Sequence, residues 1–274
     1  MAKTHENEMS FLDHLEALRW HLVRSILSII VFAIAAFIFK DFIFSNIIIA
    51  PKTPDFFTNR NLCAFGTWIG IPALCINSDP FQLININMAG QFTTHIMVSM
   101  IVGLIGAFPY LIFEMWRFIG PALYDTEKQY AKGAVFYISL LFILGVLFAY
   151  YVIIPLSVHF LGSYQVSEEV INQINLMSYI SLVSAIALAV GLIFELPVLI
   201  YFLTRTGLVT PEFLKKYRRH ALVILLALSA IITPPDVFSQ ILVVVPLMFL
   251  YEVGITLSKR IMRKEQLAAQ QKSS

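Results

Sequence analysis

Long apolar runs separated by short polar segments dominate the chain. Four runs approach or exceed the roughly 20 residues that a helix needs to cross a hydrocarbon core of about 30 Å, and two more near the C-terminus have only 12 and 17 residues. This pattern predicts an all-α polytopic membrane protein with six transmembrane helices, of which the last two are short. The predicted spans are residues 22–39, 96–113, 133–154, 180–203, 221–232 and 241–257.

The short last pair allows two interpretations. Twelve helical residues cover about 18 Å, so the pair forms either a re-entrant hairpin or two crossings of a locally thinned membrane. Both interpretations return the C-terminus to the side that it left. Of the 19 Lys and Arg residues, sixteen then fall on one side and only Lys40, Lys52 and Arg60 on the other. By the positive-inside rule, both termini are expected in the cytoplasm.

Composition supports a membrane protein. The 274 residues are 58% hydrophobic and 13% charged, with a mean hydropathy of +0.79, whereas soluble domains carry about 25% charged residues. A net charge of +2 is too small to indicate nucleic-acid binding. The N-terminus lacks the basic and apolar regions of a cleavable signal peptide, so we expect the first apolar run to remain in the mature protein.

One membrane domain, residues 1–274, is predicted, with three segments outside its spans. Residues 1–21 carry leucines at helical spacing with charges between them, which predicts a short amphipathic helix lying along the inner membrane surface. Residues 40–90 form a long external loop, and residues 259–274 form a polar cytoplasmic tail.

The external loop holds both cysteines of the chain, Cys63 and Cys75. An external compartment permits oxidation, so a disulfide that stiffens a hairpin is the favoured interpretation. The alternative is two buried free thiols that pack as small hydrophobic side chains.

No residue pattern predicts catalysis. The six histidines are scattered without metal-ligand spacing, and no glycine-rich run could hold a phosphate. The sequence therefore predicts a protein that is not an enzyme, with no cofactor and no metal site.

A single acid, Glu195, interrupts the apolar stretch 189–202. A charged group in hydrocarbon costs at least about 2.5 kcal/mol, so an acid at this depth indicates a function by default. The alternative is a protonated carboxyl that is hydrogen-bonded inside the protein's own helix bundle.

Two polar segments have both a functional and a simpler interpretation. Residues 114–128 join the second and third spans and carry Glu114, Asp125 and Glu127; the simpler interpretation is a solvated loop whose acids balance nearby bases. Residues 232–240 place two prolines between the short spans, and Asp236 there could simply cap the last helix.

Several segments together resemble one family. They are FLDHLEALR, Ala-Pro at 50–51, FPYLIFEMWRFIGPALYDTEK, GVLFAYYVIIP, FELPV, TPPDVFSQ and YEVGI. They cover nearly the whole chain and resemble the TatC family, the core subunit of the twin-arginine protein translocase. The resemblance implies six spans with both ends inside, and it implies that both short helices cross a thinned membrane.

The resemblance also implies a function in a bacterial inner membrane. The family binds twin-arginine signal peptides of folded precursors and exports them with TatA- and TatB-type single-span partners and further copies of itself, driven by the proton-motive force. In this chain the implied signal-peptide residues are Glu16, Arg19, Phe118, Pro121, Leu123 and Glu127. Glu195 is implied to contact a partner's transmembrane helix, Pro51, Asp236 and Gln240 to act at or near the outer surface, and Glu252 to have a less defined role.

One position departs from the family's pattern. The N-terminal helix of the family reads HLxELR, whereas this chain reads HLEALR, with Ala17 at the usual acid position and Glu16 before it. One residue turns a side chain by about 100° around a helix, so Glu16 would meet the same ligand from another angle.

Two other functions fit a polytopic protein with a buried acid. A small-solute transporter would show internal repeats and paired broken helices, and an intramembrane enzyme would need a second catalytic group near Glu195. The sequence shows neither feature, which favours the translocase.

Overall fold

A computed structural model describes residues 11–119, 125–167, 169–170, 172–233 and 237–273. Most of these residues are helical. The α-helices are α1 (Phe11–Ile38), α2 (Lys40–Phe42), α3 (Phe57–Ile69), α4 (Gly90–Ile119), α5 (Asp125–Phe148), α6 (Ile154–Ser163), α7 (Leu176–Ile193), α8 (Leu196–Arg205), α9 (Pro211–Lys216), α10 (Arg218–Ile232) and α11 (Val237–Ser273).

Shorter elements join these helices. Ile43–Ile48 and Ala149–Ile153 form π-helical turns, and Ala50–Lys52 and Pro72–Leu74 form 3₁₀ turns. Two short strands, β1 (Leu83–Ile84) and β2 (Ile174–Asn175), pair in parallel, with Leu83 opposite Ile174.

Five helical stretches within the described ranges are long and apolar enough to cross a membrane. They are Leu15–Ile38, Gly90–Phe118, Gly133–Ser163, Leu176–Arg205 and Gln240–Arg263. The protein is therefore an all-α, multi-pass membrane protein. The predicted fifth span corresponds to α10, whose 15 residues make a helix of about 22 Å.

Near both ends of the described chain, residues that the sequence placed outside the spans continue the neighbouring helix. No break separates the predicted surface helix from the first span, because residues 11–38 form one helix and contain neither Gly nor Pro. The predicted C-terminal tail is likewise helical, since α11 continues without interruption over 37 residues.

The chain divides into two compact units, and the first contains Met1–Lys40 and His95–Leu140. In this unit, α1 presents a buried or half-buried face formed by Ala17, His21, Ser25, Ala33 and Ala36. The backbones of α1 and α4 approach closely, because a Cβ built on Gly103 would lie 2.7 Å from the Ala33 nitrogen. Small residues at such a crossing allow helices in a membrane to pack tightly.

The second unit contains Asp41–Thr94 and Leu141–Ser274. Here α8 packs on α11, where a Cβ on Gly254 would meet the Ile200 side chain at 2.5 Å. The buried hydroxyl of Thr204 donates to Ser258 Oγ at 2.8 Å across the same pair. Apolar packing of small residues and a polar contact thus join the two helices.

Two buried asparagines organise the segment 41–94 of the second unit. Asn59 is 1% exposed, and its Nδ2 donates to the carbonyls of Pro51 (3.0 Å) and Thr53 (2.7 Å). Asn77 is 6% exposed and donates to the carbonyls of Pro51 (3.3 Å) and Pro155 (3.1 Å). These bonds give the buried amide N–H groups of both asparagines hydrogen-bond acceptors.

Asn77 also occupies the left-handed backbone region, with φ +53°. We expect Asn77→Ala to destabilise the protein by about 2–4 kcal/mol, since it removes two hydrogen bonds to buried carbonyls and places a Cβ residue without local side-chain bonding in the αL region. Asn77→Gly should recover the backbone part of that loss and leave the hydrogen-bond part. Thermal unfolding of the purified variants measures both, with exposed Asn85→Ala as control. Equal melting temperatures for all four proteins would contradict this role.

Lys52 contributes a further bond in this segment. Its Nζ donates to the Phe81 carbonyl at 2.8 Å and lies 5.4 Å from the centre of the Phe81 ring. Partial burial lowers the pKa of Lys52, because removal of water disfavours the charged form.

Candidate functional site

A buried carboxylate in the first unit has a hydrogen-bond partner on each oxygen. Glu114, near the C-terminal end of α4, is 1% exposed. His21 Nδ1, on α1, lies 2.5 Å from its Oε2, and the Tyr110 hydroxyl donates to its Oε1 at 2.8 Å. Hydrogen bonds to these two partners offset the free-energy cost of burying the carboxylate.

The sequence interpretation of Glu114 as a solvated loop acid is wrong. The helix does not end at residue 113, as predicted, but continues to Ile119, so Glu114 lies on α4. Tyr110 was the available signal, because residues four apart share a helix face. The contact with His21, 93 positions away, had no local signal.

The cluster formed by Glu114, His21 and Tyr110 contacts one of the residues that were predicted to bind the signal peptide. The His21 ring packs edge-to-face against Phe118, with ring centres 5.9 Å apart. The described residues contain no group of three or more His, Cys, Asp and Glu side chains that could hold a metal ion. The cluster is thus a hydrogen-bonded contact of α1 with α4 beside an aromatic side chain.

The other predicted signal-peptide residues have different outcomes. Glu16 and Arg19 are exposed on α1, while Ala17, at the family's usual acid position, lies on the half-buried face with His21. Glu127 lies in the first turn of α5, but its side chain is outside the described part of the structure. Pro121 and Leu123 also lie outside the described residues.

Glu195 lies where a predicted continuous span is broken. Helix α7 ends at Ile193 and α8 begins at Leu196. Pro197 explains the break, because it has no N–H to donate to the carbonyl of Ile193, four residues earlier. The motif FELPV contained this signal, which the prediction of one span over 180–203 overlooked.

The surroundings of Glu195 offer it little polar contact. Both of its carboxylate oxygens are buried, and the polar group recorded near them is the backbone of Phe142 rather than a side chain. Next to it, the Phe194 ring lies 5.6 Å from the Phe148 ring, and a Cβ on Gly145 would lie 2.8 Å from the Phe194 Cβ. The carboxylate therefore sits in an apolar, closely packed environment.

The residues predicted to act near the outer surface make bonds within the second unit. Pro51 is buried and its carbonyl accepts from Asn59 and Asn77. Gln240 Nε2, on α11, donates to the Leu226 carbonyl of α10 at 3.0 Å. Asp236 lies outside the described residues.

Glu252, on α11, pairs with a base on α10. Its Oε1 lies 2.6 Å from Arg218 Nε, and both side chains are partly exposed, by 39% and 58%. Exposed pairs of this kind contribute about 0–1 kcal/mol, so the contact orients the two helices more than it stabilises them.

The structure records a bond between Cys63 and Cys75. If the bond also forms in cells, a thiol-specific reagent should label neither cysteine of the denatured protein until a reductant is added. Mass spectrometry of the labelled protein gives the count, and reduced protein is the control. Labelling of both cysteines before reduction would show two free thiols.

Comparison with known proteins gives one consistent result. Residues 13–246 match the family model of the Sec-independent protein translocase protein (TatC). A TatC of Blattabacterium sp. subsp. Periplaneta americana is 39% identical over 96% of this chain and 100% of its own length. The TatCy protein of Bacillus subtilis is 32% identical over 97% of this chain and 95% of its own length.

Solved structures agree with the sequence relatives. A crystal structure described as the twin arginine translocase receptor TatC covers 90% of this chain and 98% of its own, with 32% identity and a TM-score of 0.63. A second crystal structure of the twin arginine translocase receptor TatC, in DDM, covers 89% of this chain and 99% of its own, with a TM-score of 0.67. From its family match, its relatives and its fold, the chain belongs to the TatC family of Sec-independent protein translocase proteins.

Proposed function

We propose that this protein is the signal-peptide receptor and core subunit of a twin-arginine translocase in a bacterial inner membrane. The observation that carries the proposal is the match over 90% of the chain to a structure described as the twin arginine translocase receptor. The segment WRFIGPALYDTEK supports it, because this segment carries most of the implied recognition residues.

The chemistry of the signal peptide explains which residues bind it. Two adjacent arginines present two planar guanidinium groups, and each can form paired hydrogen bonds with a carboxylate. Glu127 provides one acid, and Glu16, exposed on α1, provides the second. Phe118, with Leu123, forms an apolar wall for the hydrophobic stretch that follows the arginines.

Glu195 serves a different contact, with single-span partners of the TatA and TatB type. Its buried oxygens have a backbone group of Phe142 near them but no side-chain partner among the described residues, so a polar group on a partner's helix would add the hydrogen bonds that they can still accept. Further copies of the same chain join the complex, and the proton-motive force drives export.

The proposed topology has six crossings with both termini in the cytoplasm. The five long apolar helices leave the α10 segment to provide the remaining crossing. At about 22 Å, α10 matches a membrane that is thinned locally. The bond from Gln240 to Leu226 holds α10 against α11, as a short crossing pair requires.

An export assay tests the function directly. A folded fluorescent reporter with a twin-arginine signal should reach the outer side of the membrane in cells that carry this gene and stay inside when the gene is deleted. The same reporter with two lysines in place of the arginines is the matched control and should remain inside in both. Equal export of the twin-arginine reporter with and without the gene would refute the proposal.

A further inference from the structure

We propose that His21 and Glu114 are positioning residues that hold the two halves of the signal-peptide site in register. The inference rests on the proposed function, in which Glu16 on α1 and Phe118 on α4 contact one peptide. It adds a pair of residues that contact no peptide themselves and that set the distance between those halves.

The pair joins the helices close to the site. His21 follows Glu16 by five residues, about 7.5 Å along α1, and Phe118 follows Glu114 by one turn of α4. The His21 ring touches Phe118 itself, with ring centres 5.9 Å apart. A bond at this point therefore fixes both the acid on α1 and the aromatic wall on α4.

The hydrogen bond between His21 and Glu114 is specific to one register of α1 on α4. Apolar side chains pack at many registers, whereas a buried carboxylate requires donors at specific positions. Glu114 is 1% exposed and has one donor for each oxygen. A shift of α1 along α4 would break the bond from His21 and leave a buried acceptor unpaired, which is strongly unfavourable.

The rest of the crossing provides fewer bonds of this kind. At the far end of the same helices the His95 ring bonds to the Phe37 carbonyl, and between the two ends Ala33 lies close to Gly103 and Phe32 to Gly106. These small and apolar contacts set the distance between the helices but provide few directional bonds. Register near the site consequently depends on His21 and Glu114.

The test uses the full-length purified protein and a fluorescent synthetic twin-arginine signal peptide. We expect His21→Ala and Glu114→Ala each to weaken peptide binding about tenfold, the effect of losing a charge-assisted hydrogen bond. The double variant should also lose about tenfold, because the residues act as one pair. His21→Arg should restore most of the affinity, since a guanidinium can donate to the same carboxylate.

A second histidine of the first unit provides the control. His95 stacks on Phe37 with ring centres 3.9 Å apart and bonds to the Phe37 carbonyl at 3.1 Å, about 28 Å along α4 from Glu114. His95→Ala removes a comparable contact, and it should leave peptide affinity unchanged. If Glu114→Ala fails to fold, His21→Ala still decides the question, because it removes the bond that joins the two helices.

The outcomes separate this inference from the function on which it rests. If the unmodified protein does not bind the peptide, the proposed function fails. If it binds and Glu127→Ala does not, while His21→Ala binds normally, only the positioning role is overturned. A hundredfold loss in the double variant, or no recovery with His21→Arg, also overturns it.

Discussion

Glu127→Lys should abolish binding of a twin-arginine signal peptide, and Glu127→Ala should weaken it by about tenfold to a hundredfold. The alanine removes one charge-assisted contact at a partly solvated site, which costs about 1.5–3 kcal/mol. The lysine adds repulsion toward two guanidinium groups that remain charged at any physiological pH. Peptide titration with purified protein measures the affinity, and the export of a twin-arginine reporter gives the consequence in cells.

Reversal of another exposed acid controls for the change in charge. Glu212→Lys, in the first turn of α9, alters the net charge equally and should leave the affinity near normal. Glu16→Ala then tests the shifted HLEALR motif, and a clear loss would show that Glu16 reaches the ligand from its exposed face. Normal binding and export by Glu127→Lys would mean that the site lies elsewhere.

Glu195→Ala should greatly reduce co-purification of the single-span partners while the protein still inserts in the membrane. An acid with buried oxygens in an apolar environment gains most from a polar group supplied by another helix. Glu195→Gln should retain part of the association if hydrogen bonding matters more than charge. Affinity purification from membranes, followed by quantification of the co-purified partners, measures the effect.

A neighbouring exposed side chain provides the matched control for this loss. Leu199, on α8, is 55% exposed, and Leu199→Ala removes apolar area without removing the acid. It should retain most of the partner association. Partner recovery that is equal for Glu195→Ala and the unmodified protein would remove Glu195 from the interface.

Membership of a translocase family excludes the hypothesis of an intramembrane enzyme. It also gives no support to the small-solute transporter, the other function that the sequence had left open.

The hydropathy pattern predicted the class of fold because crossing a membrane requires long apolar helices, and such helices can be recognised from short stretches of sequence. Helix ends were less predictable. The hydropathy pattern predicts that the second span ends just before Glu114. The helix continues because His21 and Tyr110 provide hydrogen bonds to this buried acid.

Contacts between distant positions could not be predicted from one sequence. The bonds from Asn59 and Asn77 to Pro51 depend on a fold that brings positions 51, 59 and 77 together. Neither asparagine has a periodicity or motif that marks it as buried. The sequence resemblance implies a role for Pro51, and in the structure its main-chain carbonyl accepts hydrogen bonds from two buried side-chain amides.

The length of α11 has a practical consequence for tagging this protein. Its 37 residues extend about 55 Å, whereas the apolar part ends at Arg263. The ten residues beyond extend the helix by about 15 Å past its apolar part. A fluorescent protein or affinity tag fused after residue 273 would therefore follow a helical spacer of that length, which is already part of the chain.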